Sequence, residues 1–284
     1  MSIIYKEMTH RINDSTNKKM KLSIIGAGNM GRAIAYGLVE SNVFSASDIY
    51  CTDISLEALN NIKKNNPQIN ITTDNIEAVK KADIVIVAVK PWLIETVINE
   101  IKDSLDYGHQ IFISIAGGIE FSSLCRFLKK DDDSIPAIFR VIPNTAIEVK
   151  ESVNFVSAFN STDEQTDTIK KIFDKLGLTI IIEERLIGAG TALASCGIAY
   201  AFRYIRASVE GAVELGLNPE LAKKIEMQTL KGAVALLEKN NSHPEIEIDK
   251  VTTPGGITIK GLNAMEEAGF TNAVIKGLKM STYN

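Results

Sequence analysis

Short apolar runs alternate with amphipathic stretches through the first two thirds of the chain, after which the pattern changes. Leu22 to Ile25, Asp48 to Thr52, Ile69 to Thr72, Ile84 to Val89, Gln110 to Ile115, Ala137 to Val141, Val153 to Ala158 and Leu178 to Glu183 have the length and β-branched content of strands. Between them, the stretch from Asn29 onward, Leu56 to Asn65, Asn75 to Lys81, Trp92 to Leu105, Phe121 to Lys129 and Thr162 to Leu176 carry helical spacing. Strand alternating with helix predicts an α/β fold with a mostly parallel sheet. From Glu184 onward no strand pattern recurs and nearly everything reads helical, which predicts a boundary there and an all-helical C-terminal domain.

The first of these late helices, Ile187 to Leu215, is apolar around most of its circumference and rich in small residues from Gly188 to Ala199. A helix at a solvent surface shows one apolar stripe, so this one is expected to be buried under neighbouring helices or in a subunit interface. Asn218 and Pro219 open a helix to Asn240, and Pro244 opens a shorter one. Thr252-Thr253-Pro254-Gly255-Gly256 then forms a glycine-rich corner that runs into a helix from Ile257.

A first such corner stands at the other end of the chain. Gly26, Gly28 and Gly31 follow the first strand in G-x-G-x-x-G order and open a helix at Asn29. Gly26 permits the turn, Gly28 lets a pyrophosphate approach the backbone, and Gly31 brings helix and strand together. The free amides and positive dipole end of the helix suit a diphosphate. Asp53 ends the second strand about 20 residues beyond Gly31, where an acid meets the ribose hydroxyls in dinucleotide-binding folds. Lys90-Pro91, Ala116-Gly117-Gly118 and Pro143-Asn144-Thr145 end later strands at the same predicted sheet edge and line the same crevice. This predicts a Rossmann-type domain over residues 20–183, followed by a helical domain over 184–284. The second corner could hold a carboxylate on the amides near Gly255 and Gly256 with the hydroxyls of Thr253 and Thr258, without any Arg or Lys. Spacing alone equally allows a plain helix cap.

Composition narrows the class of partner. The chain has 284 residues, 45% hydrophobic and 23% charged, enough for about two domains with ordinary cores. A net charge of -4 without a basic block argues against nucleic acid and anionic membrane surfaces. Cys51, Cys125 and Cys196 lie far apart, which supports neither a disulfide framework nor a zinc site, and reduced thiols fit a cytoplasmic protein. No apolar run approaches the ~20 residues that span a bilayer. Residues 1–19 are polar and aperiodic and are expected to be a disordered tail.

Taken in order, IIGAGNMGRAIAYGL, VAVKP, SIAGG, RVIPNT, HPEIEIDKVTTPGGITI and EEAGF make the chain after Met20 similar to pyrroline-5-carboxylate reductases. The TPGG-x-T segment behind a helical run is not a general feature of dinucleotide-binding chains. The resemblance implies reduction of the cyclic imine pyrroline-5-carboxylate to L-proline by NADH or NADPH. It assigns the cofactor to Gly26, Gly28, Asn29, Met30, Gly31, Lys90, Pro91, Ala116 and Asn144, and the substrate to Thr253 and Thr258 beside Gly255 and Gly256. It also implies a homo-oligomer built from dimers, in which the C-terminal helices of two subunits interlock and complete each active site. The chain departs from the family pattern at Ala194 to Ile198, Ala146 and Arg206, which concerns the substrate pocket.

The chemistry agrees with what is missing. Ketone reduction builds an alkoxide and calls for a His or Lys acid. A cyclic imine can arrive protonated, so positioning, a carboxylate clamp and exclusion of water suffice. His10, His109 and His243 each read as structural or solvated. The expected roles are a carboxylate held by the corner amides and Thr253, and a ring nitrogen bonded to the Thr258 hydroxyl, with no metal. A β-hydroxyacid dehydrogenase would need a catalytic Lys on the long helix, and Ile187 to Tyr204 holds none. A non-catalytic dinucleotide sensor is the reading from a different class. NADH is expected over NADPH, because Asp53 would repel a 2′-phosphate and Ile54 to Ile62 carries no Arg or Lys.

Overall fold

The computed structural model describes residues 19–282, so the tail expected over 1–19 lies outside them apart from Lys19. The strands are β1 (Leu22–Ile25), β2 (Ile49–Thr52), β3 (Asn70–Thr72), β4 (Ile84–Val87), β5 (Ile111–Ser114), β6 (Ala137–Ile142), β7 (Ser152–Phe159) and β8 (Gly177–Ile181). Between them lie α1 (Asn29–Glu40), α2 (Leu56–Asn65), α3 (Asn75–Val79), α4 (Ile94–Ile101), α5 (Phe121–Leu128) and α6 (Asp163–Phe173). One sheet takes all eight strands in the order β3-β2-β1-β4-β5-β6-β7-β8. Only the β6–β7 pair is antiparallel.

The apolar runs are continuous rather than alternating because the parallel strands are covered on both faces. Ile24, Ile86 and Ile113 feed one buried cluster, whereas Ile25, Val87 and Phe112 feed another. Neighbours along a strand thus go to opposite sides of the sheet. The register sets Ile24 beside Cys51 on one side and Ile86 on the other. Burial pushes the Cys51 thiol up to about 12. Arg140, almost wholly buried in β6, donates to Glu184 Oε1 at 2.5 Å, and the same oxygen accepts the Phe121 amide at 2.7 Å.

The helical part begins with α7 (Ile187–Gly190), followed by a π-helical turn over Thr191–Cys196 and by α8 (Gly197–Glu214). The single regular helix expected over Ile187 to Leu215 is therefore interrupted. The cause is visible in the residues: Gly188, Gly190 and Gly197 give weak helical bias on both sides of the widened turn. Then come α9 (Pro219–Asn240), α10 (Pro244–Lys250), α11 (Ile257–Glu267) and α12 (Phe270–Met280). The chain divides into two compact units after Gly190. In the second unit the Tyr200 hydroxyl meets the Gly277 carbonyl at 3.2 Å and the Ser281 hydroxyl, which ties α8 to α12. Glu247 of α10 accepts from Ser242, Asn240 and Lys250, and these contacts hold its carboxyl down at about 2.

The second unit buries little. Ala192, Val209 and Ala222 are its buried apolar side chains among the described residues, whereas Phe202 is 61% exposed and Val234 55% exposed. The helical run Glu184–Glu214 is also long and apolar enough to cross a membrane by length and composition, contrary to the expectation that no stretch would be. Such a helix needs a high average hydropathy rather than an unbroken apolar run, and here Leu186 to Phe202 carries no charge while Arg203 to Glu214 carries four.

Candidate active site

The strand order reverses at β1, which has β2 on one side and β4 on the other, so a crevice opens where the chain leaves these two parallel neighbours. All the expected cofactor residues follow parallel strands at that one edge. Gly26 to Gly31 follow β1, Asp53 follows β2, Lys90 and Pro91 follow β4, Ala116 follows β5 and Asn144 follows β6. Asn144 accepts the Ala146 amide and starts a 3-10 turn, and its own amide donates to the Ser152 hydroxyl at 3.0 Å.

The three glycines are required for different reasons. Gly26 has φ +108, and a Cβ on it would lie 2.8 Å from the Ala88 carbonyl at the end of β4. A Cβ on Gly31 would lie 1.9 Å from the Gly26 oxygen. Gly28 is different: its φ of -66 suits any residue, and nothing in the chain lies within 4 Å of where its Cβ would be. No neighbour in the chain requires glycine there, and the space is open to a group pressed against the backbone. No side chain caps α1, whose first turn holds no acid. Open amides, a positive dipole end and a clear approach at Gly28 fit a dinucleotide pyrophosphate.

Asp53 is more occupied than its position in the sequence suggests. Oδ2 accepts the Ala27 amide at 2.8 Å and Oδ1 the Ser55 amide at 2.8 Å, so the carboxylate clips the glycine corner to the end of β2. Residues 54–62 supply no cation, as expected, whereas Arg32, in the first turn of α1, is a cation upstream of the acid. Sequence reasoning missed it by looking only downstream of the acid. The available signal was a basic residue opening a helix that has no acid in that turn.

The second corner is a tight turn. The Gly256 amide donates to the Thr253 carbonyl at 2.9 Å, with Pro254 and Gly255 between them and Gly255 at φ +71. Pro followed by a left-handed Gly is the type II pattern. The Gly256 amide is thus used up, contrary to the expectation that it would face a ligand. The donors left are those of the first turn of α11, which no side chain caps. A Cβ on Gly256 would sit 2.6 Å from Thr253 Oγ1, so glycine there is what lets the hydroxyl lie over the helix start. Thr253 and Thr258 are both exposed.

Residues 184–283 match the family model described as pyrroline-5-carboxylate reductase dimerisation. Residues 21–118 match that described as NADP oxidoreductase coenzyme F420-dependent. The chain is 38% identical over 283 residues to pyrroline-5-carboxylate reductase 2 of Dictyostelium discoideum, covering 94% of this chain and 92% of that one. The chain belongs to the pyrroline-5-carboxylate reductase family. It is also 41% identical to pyrroline-5-carboxylate reductase 1 of the same organism, but spans only 48% of that protein's length. Among solved structures, it is similar to a Plasmodium falciparum pyrroline carboxylate reductase with NADP bound. That match has a TM-score of 0.83 and 28% identity, over 92% of this chain and 95% of that one. Family membership supports a nicotinamide dinucleotide at the first corner, consistent with the open approach to Gly28. Among the described residues no cluster of three or more His, Cys, Asp or Glu side chains forms.

Proposed function

We propose that the chain reduces pyrroline-5-carboxylate, the reduction its family relatives are named for, to L-proline, and that it does so in the cytoplasm. The observation that carries this reading is the second corner: an uncapped helix start with the Thr253 hydroxyl over it and no Arg or Lys in the turn. That is a site for a small carboxylate rather than for a phosphate. The Ile257 and Thr258 amides and Thr253 hold the carboxylate, and the Thr258 hydroxyl bonds the ring nitrogen and keeps its proton in place. When bound, a reduced nicotinamide would supply the hydride that turns the CH=N carbon of the N-protonated imine into the CH2 of a secondary amine. Gly26, Gly28, Asn29, Met30 and Gly31 cradle the pyrophosphate, and Lys90, Pro91, Ala116 and Asn144 line the crevice beside it. Asp53 taken alone favours NADH, but with both oxygens already bonded and Arg32 nearby we assign the chain both dinucleotides.

The helices after residue 184 form a homodimer interface, and dimers build the oligomer. The dimerisation match over 184–283 supports this, together with the side chains left uncovered on α8 and α9. The interface reading is favoured over a membrane span because the last twelve residues of α8 carry Arg203, Arg206, Glu210 and Glu214. A β-hydroxyacid dehydrogenase remains disfavoured, since Ile187 to Tyr204 offers no Lys.

The test is oxidation of NADH or NADPH with pyrroline-5-carboxylate, followed at the nicotinamide absorbance. Thr258→Ala is expected to lower kcat/KM about 10- to 100-fold, the loss of one oriented hydrogen bond, with dinucleotide Kd unchanged. Turnover absent from the unaltered chain would favour the sensor, and an unaffected Thr258→Ala variant would remove that hydroxyl from the site.

A further inference from the structure

We infer that Arg32 holds the 2′-phosphate of NADPH and so sets which of the two dinucleotides the chain prefers; this rests on the dinucleotide reading of the first corner. Arg32 is the fourth residue of α1, in a turn without an acid. A cation there opposes the helix dipole, which makes the position electrostatically adverse until an anion arrives. Its direction follows from its neighbours. Tyr36, one turn further on and on the same helix face, donates its hydroxyl to the Asn61 carbonyl of α2 at 3.4 Å. Arg32 itself reaches back to the helix start, where Nη2 donates to Asn29 Oδ1 at 2.7 Å. The guanidinium therefore lies on the α2 side of α1, at the end where β2 delivers Asp53 and where the adenosine ribose would sit.

The charges around it leave this role open. The acids facing that region are Asp53, whose oxygens take the Ala27 and Ser55 amides, and Glu57 in the first turn of α2. Among the described residues Arg32 makes no ion pair with either, and Asn29 is its one hydrogen-bond partner. Most of its five donors remain for a phosphate, which a planar fork can hold in bidentate fashion. Asp53 repels the 2′-phosphate, Arg32 attracts it, and preference follows from the balance between the two.

Titration calorimetry of the full chain with NADPH and with NADH, before and after Arg32→Ala and Arg32→Lys, decides the matter. Arg32→Ala is expected to weaken NADPH at least tenfold and to leave NADH within twofold, with Arg32→Lys recovering part of the loss. An equal loss for both dinucleotides would mean a role in pyrophosphate binding or in folding, and no loss for either would mean no role. Both results overturn the inference while leaving the cofactor site standing. Failure of the unaltered chain to bind either dinucleotide would instead overturn the cofactor reading and this inference with it.

Discussion

Ile24 in β1 and Val234 in α9 are both aliphatic side chains inside regular elements, yet the first is fully buried and the second is 55% exposed. The sheet unit closes its own core: helices cover both faces of the strands, and each cluster is completed by side chains of the same unit. The helical unit does not. Its apolar residues stand on helices that leave many of them uncovered, and in the dimer proposed above a second copy of the unit would bury them. Self-sufficiency in one region and dependence in the other predicts that mutations will separate folding of the sheet from assembly of the helices.

The sharpest break should come from Phe202→Asp in α8. A charge forced into a dimer interface appears twice, once per subunit, and costs more than about 3 kcal/mol per dimer. Analytical ultracentrifugation should show monomers that still bind dinucleotide and have lost turnover; an intact, active dimer would refute the interface. Next, Gly31→Ala should strike the sheet unit. Its Cβ meets a backbone oxygen that cannot rotate away, and the expected loss is about 3 kcal/mol in chemical denaturation, together with loss of dinucleotide binding. Gly28→Ala should separate ligand from fold. Stability should change by less than about 1 kcal/mol, because the added methyl meets nothing in the protein, while dinucleotide binding weakens about tenfold. A tight-binding Gly28→Ala chain would mean that no ligand occupies that space.

The smallest effect concerns pH. Glu247 has its carboxyl held at about 2 by Lys250, Ser242 and Asn240, below its unfolded value near ~4.3. Its contribution to the helical unit is therefore complete above the unfolded value and fades as pH falls from there toward about 2. Carboxyl carbon resonances should give a midpoint well under 4 for Glu247, moving upward in Lys250→Ala.

Much of this was legible in the sequence because it is local. Leu22 to Ile25 and Pro219 to Asn240 declare their own limits through β-branched residues, a cap and a proline, and the structure keeps them unchanged. The glycine spacing marked the first corner for the same reason. What stayed hidden depends on partners distant in sequence or on backbone detail. Asp53 reads as a free acid until Ala27 is seen to donate to it across the β1–β2 pair. Gly256 reads as a free amide until the turn closes on Thr253. Arg32 lies inside a quoted motif, but its meaning depends on which face of α1 turns toward α2, which Tyr36 reveals only in three dimensions. The widened turn at Thr191–Cys196 carries no periodic signal.

Cys51 gives the sheet a clock of its own. Seated in β2 against β1 and with burial pushing its thiol up to about 12, it stays un-ionised at neutral pH, and no reagent reaches that sulfur while the strands stay paired. An alkylating probe in solution can therefore modify it only during the moments when β2 opens, so the labelling rate counts those openings. Cys125 and Cys196 are partly exposed and should react first. The delay between their modification and that of Cys51, measured with and without dinucleotide, would time how long the ligand keeps the strand edge shut.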